Sequence, residues 1–338
     1  MLLAVLLLAV QAADARIAEE LDRAQQAFAA NASTDPSWAQ IKPRVQMVLD
    51  RARRAARAGQ SWAALEDLGK VRTLLEASRS VEQSKGRDFQ QAWKDEAPGL
   101  IARDAKARGR AWNGIPAAPR AIAESAQGQS VPYLNAAPAY ASVTDARQGF
   151  FYLAQARALA DFADLVASLE VVSKNKPLML RSWSPELQAL QAEVLAAYQP
   201  PRSIDQHPDF IGVNAQLKLA RELDEGRMPA GALYAWLDAL QQFASLELQA
   251  PDAAGQARLR EQLAAARRQI AASRRDDSIE LLFVERGELR AKMGEWPRVR
   301  AIVERVLPAY RAAVERRPPA ARTAREEIRV TLVRWPYT

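Results

Sequence analysis

The chain of 338 residues is 49% hydrophobic and 26% charged, the proportions of an ordinary folded protein, not of a disordered or multiply membrane-spanning one. It has no cysteine, which excludes a disulfide framework, thiolate metal sites and a cysteine nucleophile, and its single histidine excludes H-E-x-x-H and histidine-rich metal sites. Lys and Arg number 47 against 40 Asp and Glu, a formal charge of +7 that could favour acidic partners; the arginines are interspersed with carboxylates, so a solvated helical surface is the expectation.

From Leu2 to Val10 every side chain is apolar, and Ala13-Asp14-Ala15 follows. The run is shorter than the roughly 20 residues a spanning helix needs. It reads as the apolar core and A-x-A cleavage site of a secretory signal over residues 1–15, without the usual basic residues ahead of it. The protein is therefore expected to be exported, periplasmic or secreted.

Residues 16–108 form a first helical region, with helices expected at 17–31, 43–58, 61–77 and 86–108. In the second of these, Val45, Val48, Leu49, Ala52 and Ala56 fall on one helical face, and Arg51, Arg53, Arg54 and Arg57 lie opposite. The rhythm then breaks. Gly109, Gly114, Pro116, Pro119, Gly128, Pro132 and Pro138 mark 109–143 as a long irregular loop, with at most a short helix near Arg120–Ala126. Within it Trp112, Asn113, Tyr133, Asn135 and Tyr140 supply rings and amides, the candidate ligand-binding residues, suited to stacking on sugars or gripping a peptide. The alternative is that the rings pack back onto the helices.

Residues 144–318 resume the helical period, with helices expected at 144–173, 185–198, 209–225, 229–248, 252–273, 277–293 and 297–316. Val299, Ile302, Val303, Val306, Leu307, Tyr310 and Val314 form one stripe; Leu233, Trp236, Leu237, Leu240 and Phe243 form another. Ser184-Pro185 is a start signal, and Asp277 to Glu280 has capping-box spacing. The apolar stretch Gly149–Val172 carries Arg157, Asp161 and Asp164 and reads as a core helix, so no membrane span is expected after signal removal. In the tail, 319–338, Ile328 to Val333 alternates and is β-branched, a lone strand that either docks on Val131–Val143 or adds to a partner's sheet edge.

The helix-turn-helix junctions around Gly59, Gly226 and Gly294 are alike. A large apolar side chain follows each glycine by two or three residues, and Ala64, Gly231 or Val299 lies five residues after it. Glycine relieves the left-handed end of the first helix, and the residue at the fifth place is expected to let the hairpin close tightly. Over Ser278–Tyr310, with Phe283, Gly287, Gly294 and Trp296 in place, the chain resembles the tetratricopeptide repeat, although Arg286 and Arg290 stand where large apolar residues are expected. The resemblance implies stacked helical hairpins, protein or peptide binding, and no catalytic residues.

Catalytic vocabulary is sparse. His207 sits in a turn without a G-x-S-x-G elbow, and there is no P-loop or dinucleotide fingerprint. Asp161/Asp164 and Asp276/Asp277 read as ion-pairing and capping residues. Arg258, Arg260, Arg267, Arg268, Arg274 and Arg275 decorate a helix face, but export disfavours a nucleic-acid partner. The expectation is an all-α protein of stacked antiparallel helical hairpins, solenoid-like or a bundle, with one long irregular loop and a short C-terminal β-strand. It would be a non-enzymatic scaffold of the cell envelope, without cofactor or metal, holding a protein or peptide; the alternative is an envelope polysaccharide bound by the aromatic loop.

Overall fold

The computed structural model describes residues 2–141, 145–169, 171, 173, 175–200 and 204–316, with side chains from residue 13 onward except at position 37. The helices are α1 (Leu2–Ala29), α2 (Pro36–Arg57), α3 (Ser61–Gln83), α4 (Phe89–Arg108), α5 (Ala117–Tyr140), α6 (Arg147–Ala167), α7 (Ser184–Ala197), α8 (His207–Glu225), α9 (Pro229–Glu247), α10 (Ala253–Ala272), α11 (Ser278–Lys292), α12 (Trp296–Ala301) and α13 (Leu307–Glu315). A 3₁₀ turn (Ile204–Gln206) precedes α8, and a π-helical segment (Ile302–Val306) joins α12 to α13. There Leu307 N–H reaches the Ile302 carbonyl, just ahead of Pro308, whose ring cannot sit against the carbonyl four residues back.

The expected stripes face inward. Val45, Leu49 and Ala52 of α2 are buried, as are Val299, Ile302, Val306 and Tyr310 of the last helices. Consecutive helices pair as hairpins, α2 with α3, α8 with α9, and α10 with α11. The array also closes on itself. α3 packs on α11, more than 200 residues later: Gln60 Nε2 donates to Glu288 Oε2 at 2.5 Å, Ala63 N–H to Glu285 Oε2 at 3.0 Å, and Arg286 Nε to Glu66 Oε2 at 2.5 Å. Repeats in an open solenoid touch only their neighbours. These contacts make the molecule a closed bundle.

The helices are capped from a distance. The first N–H groups of a helix have no intrahelical partner, and the helix dipole favours negative charge there. The N-cap residues of α3, α5, α7 and α9 make no side-chain capping bond. Side-chain carboxyl oxygens from other helices or turns accept instead. Glu285 accepts from Ala63, Asp276 from Ala117 at 2.6 Å, Asp224 from Trp183 at 3.0 Å and Glu124 from Gly231 at 2.8 Å. Each bond fixes where one helix starts relative to another, so capping here is a tertiary interaction.

The long irregular loop expected over 109–143 is not there: most of it is α5. Pro119 lies in the first turn, where its missing N–H removes no helical bond. Gly128 lets α5 approach α8, since a Cβ there would meet Leu223 Cδ2 at 2.6 Å. Pro132 and Pro138 are tolerated inside a helix rich in alanine. From Ala117 to Gly128 nearly every position is buried, because α6, α9, α4, α8 and α11 all pack on this helix. A helix buried all round has no polar face to reveal its period.

The expected C-terminal β-strand is also corrected. No strand occurs among the described residues, whose sole β feature is an isolated bridge between Lys176 and Arg275, and Ile328 to Val333 lies outside them. The hairpin junctions need one further revision. Gly59 and Gly294 have positive φ of 67° and 75°, but at the middle junction Arg227 takes that conformation with φ 60°. Gly231 approaches Glu124 and Ser125 of α5 and not its hairpin partner, with a Cβ placed there 2.8 Å from Glu124 Cβ.

Candidate functional site

The sequence-derived binding residues do not share one platform. Trp112 sits before α5, partly buried, with the Arg110 and Arg120 guanidinium groups 5.5 and 5.9 Å from its ring centre. Asn113 is exposed beside it. Tyr133 lies about 20 Å further along the helix than Arg120 at 1.5 Å per residue. Its ring is 5.9 Å from that of Tyr152, on which Tyr140 stacks at 4.5 Å. Asn135 is turned about 200° around the helix from Tyr133 and is exposed. Tyr133 and Tyr140 are thus brought together through Tyr152, while Trp112, Asn113 and Asn135 stand apart.

Tyr133 also borders a cleft. Between α2, α3, α5 and α6 opens a cleft of about 260 Å³ with apolar walls from Val48, Leu74, Ile122, Leu159 and Phe162. Its polar groups are Arg44, Lys70, Thr73, Gln129, Tyr133 and Gln155, and Glu66 and Tyr234 lie at its inner end. A trough of about 630 Å³ runs between α8, α9 and the start of α12, bordered by Gly212, Asp238, Gln242, Arg290 and Arg298. Lys70, about half exposed, borders both. Cleft and trough thus adjoin at Lys70, and together they are called the furrow.

Beneath the furrow lies a buried ionic cluster. Arg286 of α11 donates to Glu66 of α3, to Asp238 of α9 at 2.8 Å and to the Tyr234 hydroxyl, and its guanidinium lies 4.8 Å from the Phe283 ring centre. Lys70 adds a second cation against Glu66, and Arg51 holds Asp67 through Nε and Nη2 at 2.6 and 2.7 Å. Burial alone would raise the Glu66 carboxyl, but Arg286 and Lys70 hold it well below the usual carboxylate range. Burial pushes the Tyr234 hydroxyl far up, so it stays protonated. Three helices distant in sequence are thereby fixed at one point, and the furrow has a charged but internally neutralised floor.

Arg286 is one of the arginines standing where the tetratricopeptide pattern expects an apolar residue. That mismatch is the trace this cluster leaves in the sequence. Gln155 and Lys70 leave none.

The remaining candidates are engaged in contacts within the fold. His207 is exposed at the start of α8, and its Nδ1 pairs with the Tyr198 hydroxyl at 2.8 Å. Arg103 bridges Asp161 and Asp164 at 2.8 Å each, while Asp276 caps both α5 and its own helix. Arg267 clasps Glu288 and Arg275 pairs with Asp277, so these arginines are tied to carboxylates of the same bundle. Among the described residues no cluster of His, Asp or Glu could hold a metal ion, and no helix is long and apolar enough to cross a membrane.

No known family, curated protein or solved structure matches the chain.

Proposed function

We propose that this is a non-enzymatic scaffold that holds a protein or peptide in the furrow across Lys70. The observation carrying this reading is that cleft and trough adjoin at Lys70 over a floor that α3, α9 and α11 pin together through Arg286. A mixed apolar and polar furrow on a rigid base suits an extended polypeptide, whose side chains alternate between pockets and solvent. The hairpin junctions that resemble tetratricopeptide repeats support the same class of function.

The proposed setting is the cell envelope, supported by the apolar run Leu2–Val10 and the small residues after it. Ala13 is buried and Asp14 accepts a hydrogen bond from Ser61 at 2.5 Å, so cleavage after Ala15 removes two contacts. Ile17, Leu21, Ala24 and Phe28 keep the rest of α1 on the core.

Gly212→Trp tests the reading. The position borders the trough, and an added Cβ meets nothing closer than Gln242 Oε1 at 3.6 Å, so the ring fills the trough without disturbing the bundle. Proteins that co-purify with the tagged wild type from its native envelope should be lost with this variant. Equal recovery by both would overturn the assignment.

A further inference from the structure

The half of the furrow between α2, α3, α5 and α6 carries groups that the fold does not use. Gln155 is 6% exposed, borders the cleft, and makes no hydrogen bond to any described residue. Its amide atoms are not among the fully enclosed unpartnered ones, so they open on the cleft and can pair with a ligand there. The Tyr133 hydroxyl, which also borders the cleft, likewise has no partner among the described residues. Arg44, on α2 at the mouth, is exposed and forms no ion pair with a described carboxylate. By contrast the acid at the inner end, Glu66, is already engaged by Arg286 and Lys70. The unmatched charge of the cleft is positive.

Size narrows the occupant. At about 260 Å³ the cleft falls below the roughly 300–1,000 Å³ of small-molecule sites, and it fits one large side chain with its flanking backbone. The amide of Gln155 offers both a donor and an acceptor, which a peptide group matches with its carbonyl and N–H. The trough adjoins the cleft at Lys70, which leaves room for a bound chain to run on beyond the cleft.

We propose, resting on the peptide-holding reading above, that the cleft seats an apolar side chain from an internal segment of the partner. An adjacent acidic residue meets Arg44, and the intervening peptide group pairs with Gln155. The partner is thus a polypeptide displaying an apolar–acidic pair.

Fluorescence anisotropy of the full chain with fluorescein-labelled, amidated hexapeptides tests this. The probes are Gly-Ser-Phe-Glu-Ser-Gly, the same with Gln for Glu, the same with Ser for Phe, and a labelled peptide ending in a free Phe carboxylate. The Phe-Glu probe should bind, with Gln for Glu weakening it about three- to fivefold as expected for an exposed ion pair. Ser for Phe should weaken it roughly tenfold or more, the cost of an unburied ring. Arg44→Gln, a surface change, should erase the Glu–Gln difference and keep the Phe–Ser difference; Gln155→Leu should weaken both Phe probes. Equal binding of the Phe-Glu and Phe-Gln probes to wild type, or binding of the free-carboxylate probe alone, would overturn the proposal. If the Phe-Gln probe then still binds and Gln129→Trp blocks it, only the acidic specificity falls and peptide holding stands. If no probe binds and Gly212→Trp leaves the co-purifying proteins unchanged, both fall.

Discussion

Replacing Arg286 by methionine should destabilise the bundle more than any other substitution near the furrow. The guanidinium satisfies Glu66, Asp238 and the Tyr234 hydroxyl together and lies over two aromatic rings, at 4.8 and 5.0 Å from their centres. Glu66 is 7% exposed, so loss of Arg286 leaves a buried carboxylate with Lys70 as its remaining cation. Removing one partner of a buried pair costs about 3–5 kcal/mol. Lys70 is half exposed and screened, which puts the expected loss nearer 3 than 5, still a large share of the roughly 5–15 kcal/mol that holds a protein folded. The assay is urea unfolding followed by far-UV circular dichroism at pH 7, on Arg286→Met, Glu66→Gln and the double variant. Neutralising Glu66 removes the stranded charge, so the double variant should be less destabilised than the sum of the singles by about 1.5–3 kcal/mol. A loss under about 1 kcal/mol for Arg286→Met, or simple additivity of the two changes, would refute the reasoning.

Glu285 gives a pH test. Burial, only partly offset by the Ala63 N–H and Arg267, raises its carboxyl from 4.5 to about 8. Folded protein thus binds more protons than unfolded protein between these values, so this group's contribution is fully present below pH 4.5 and is lost as pH rises through 8. Glu285→Gln should flatten the fall in unfolding free energy across that window, as read from urea midpoints; an unchanged slope would contradict the burial argument. Gly128→Val forces a side chain onto Leu223 and should cost about 1–3 kcal/mol by overpacking, whereas a loop at this position would tolerate it. A chain starting at Arg16 should keep its helical spectrum and lose only about 1 kcal/mol with the Ser61–Asp14 bond, and collapse of the spectrum would show that α1 needs its first half. Because the natural chain has no cysteine, Gln60→Cys with Glu288→Cys should be joined by a short bismaleimide in the folded protein; an open array would leave both thiols free.

Much of the fold was legible because most helices bury one face and show water the other. The stripes of α2 and of the chain from Val299 to Tyr310 announce themselves by period alone, while α9, buried nearly all round, was legible because no proline lies inside it beyond its first residue. α5 was not legible, for its burial on all sides erases the period and its Gly128, Pro132 and Pro138 imitate a loop. The aromatic residues of that segment form a group in the sequence because they are close along the chain, but a helix spreads them along its length and around its circumference. Tyr133 alone reached the furrow. The groups that define the site come from α2, α3, α6, α9 and α11, and no local pattern places Gln155 beside Arg44 or Glu66 beside Arg286. Arg286 and Arg290 were visible, as arginines where the repeat pattern expects large apolar residues. The distant caps were equally hidden, since Glu285 and Glu124 serve helices that start far from them in the chain.

The most direct measurement is site-specific photocrosslinking in living cells, with a photoreactive amino acid at Gln129 in the cleft, at Gln242 in the trough, and at exposed Ile101 and Leu195 on the outer faces of α4 and α7. Both furrow positions should capture one and the same polypeptide, and the outer positions should not. Capture of that polypeptide from Ile101 or Leu195 with none from Gln129 and Gln242 would contradict the account.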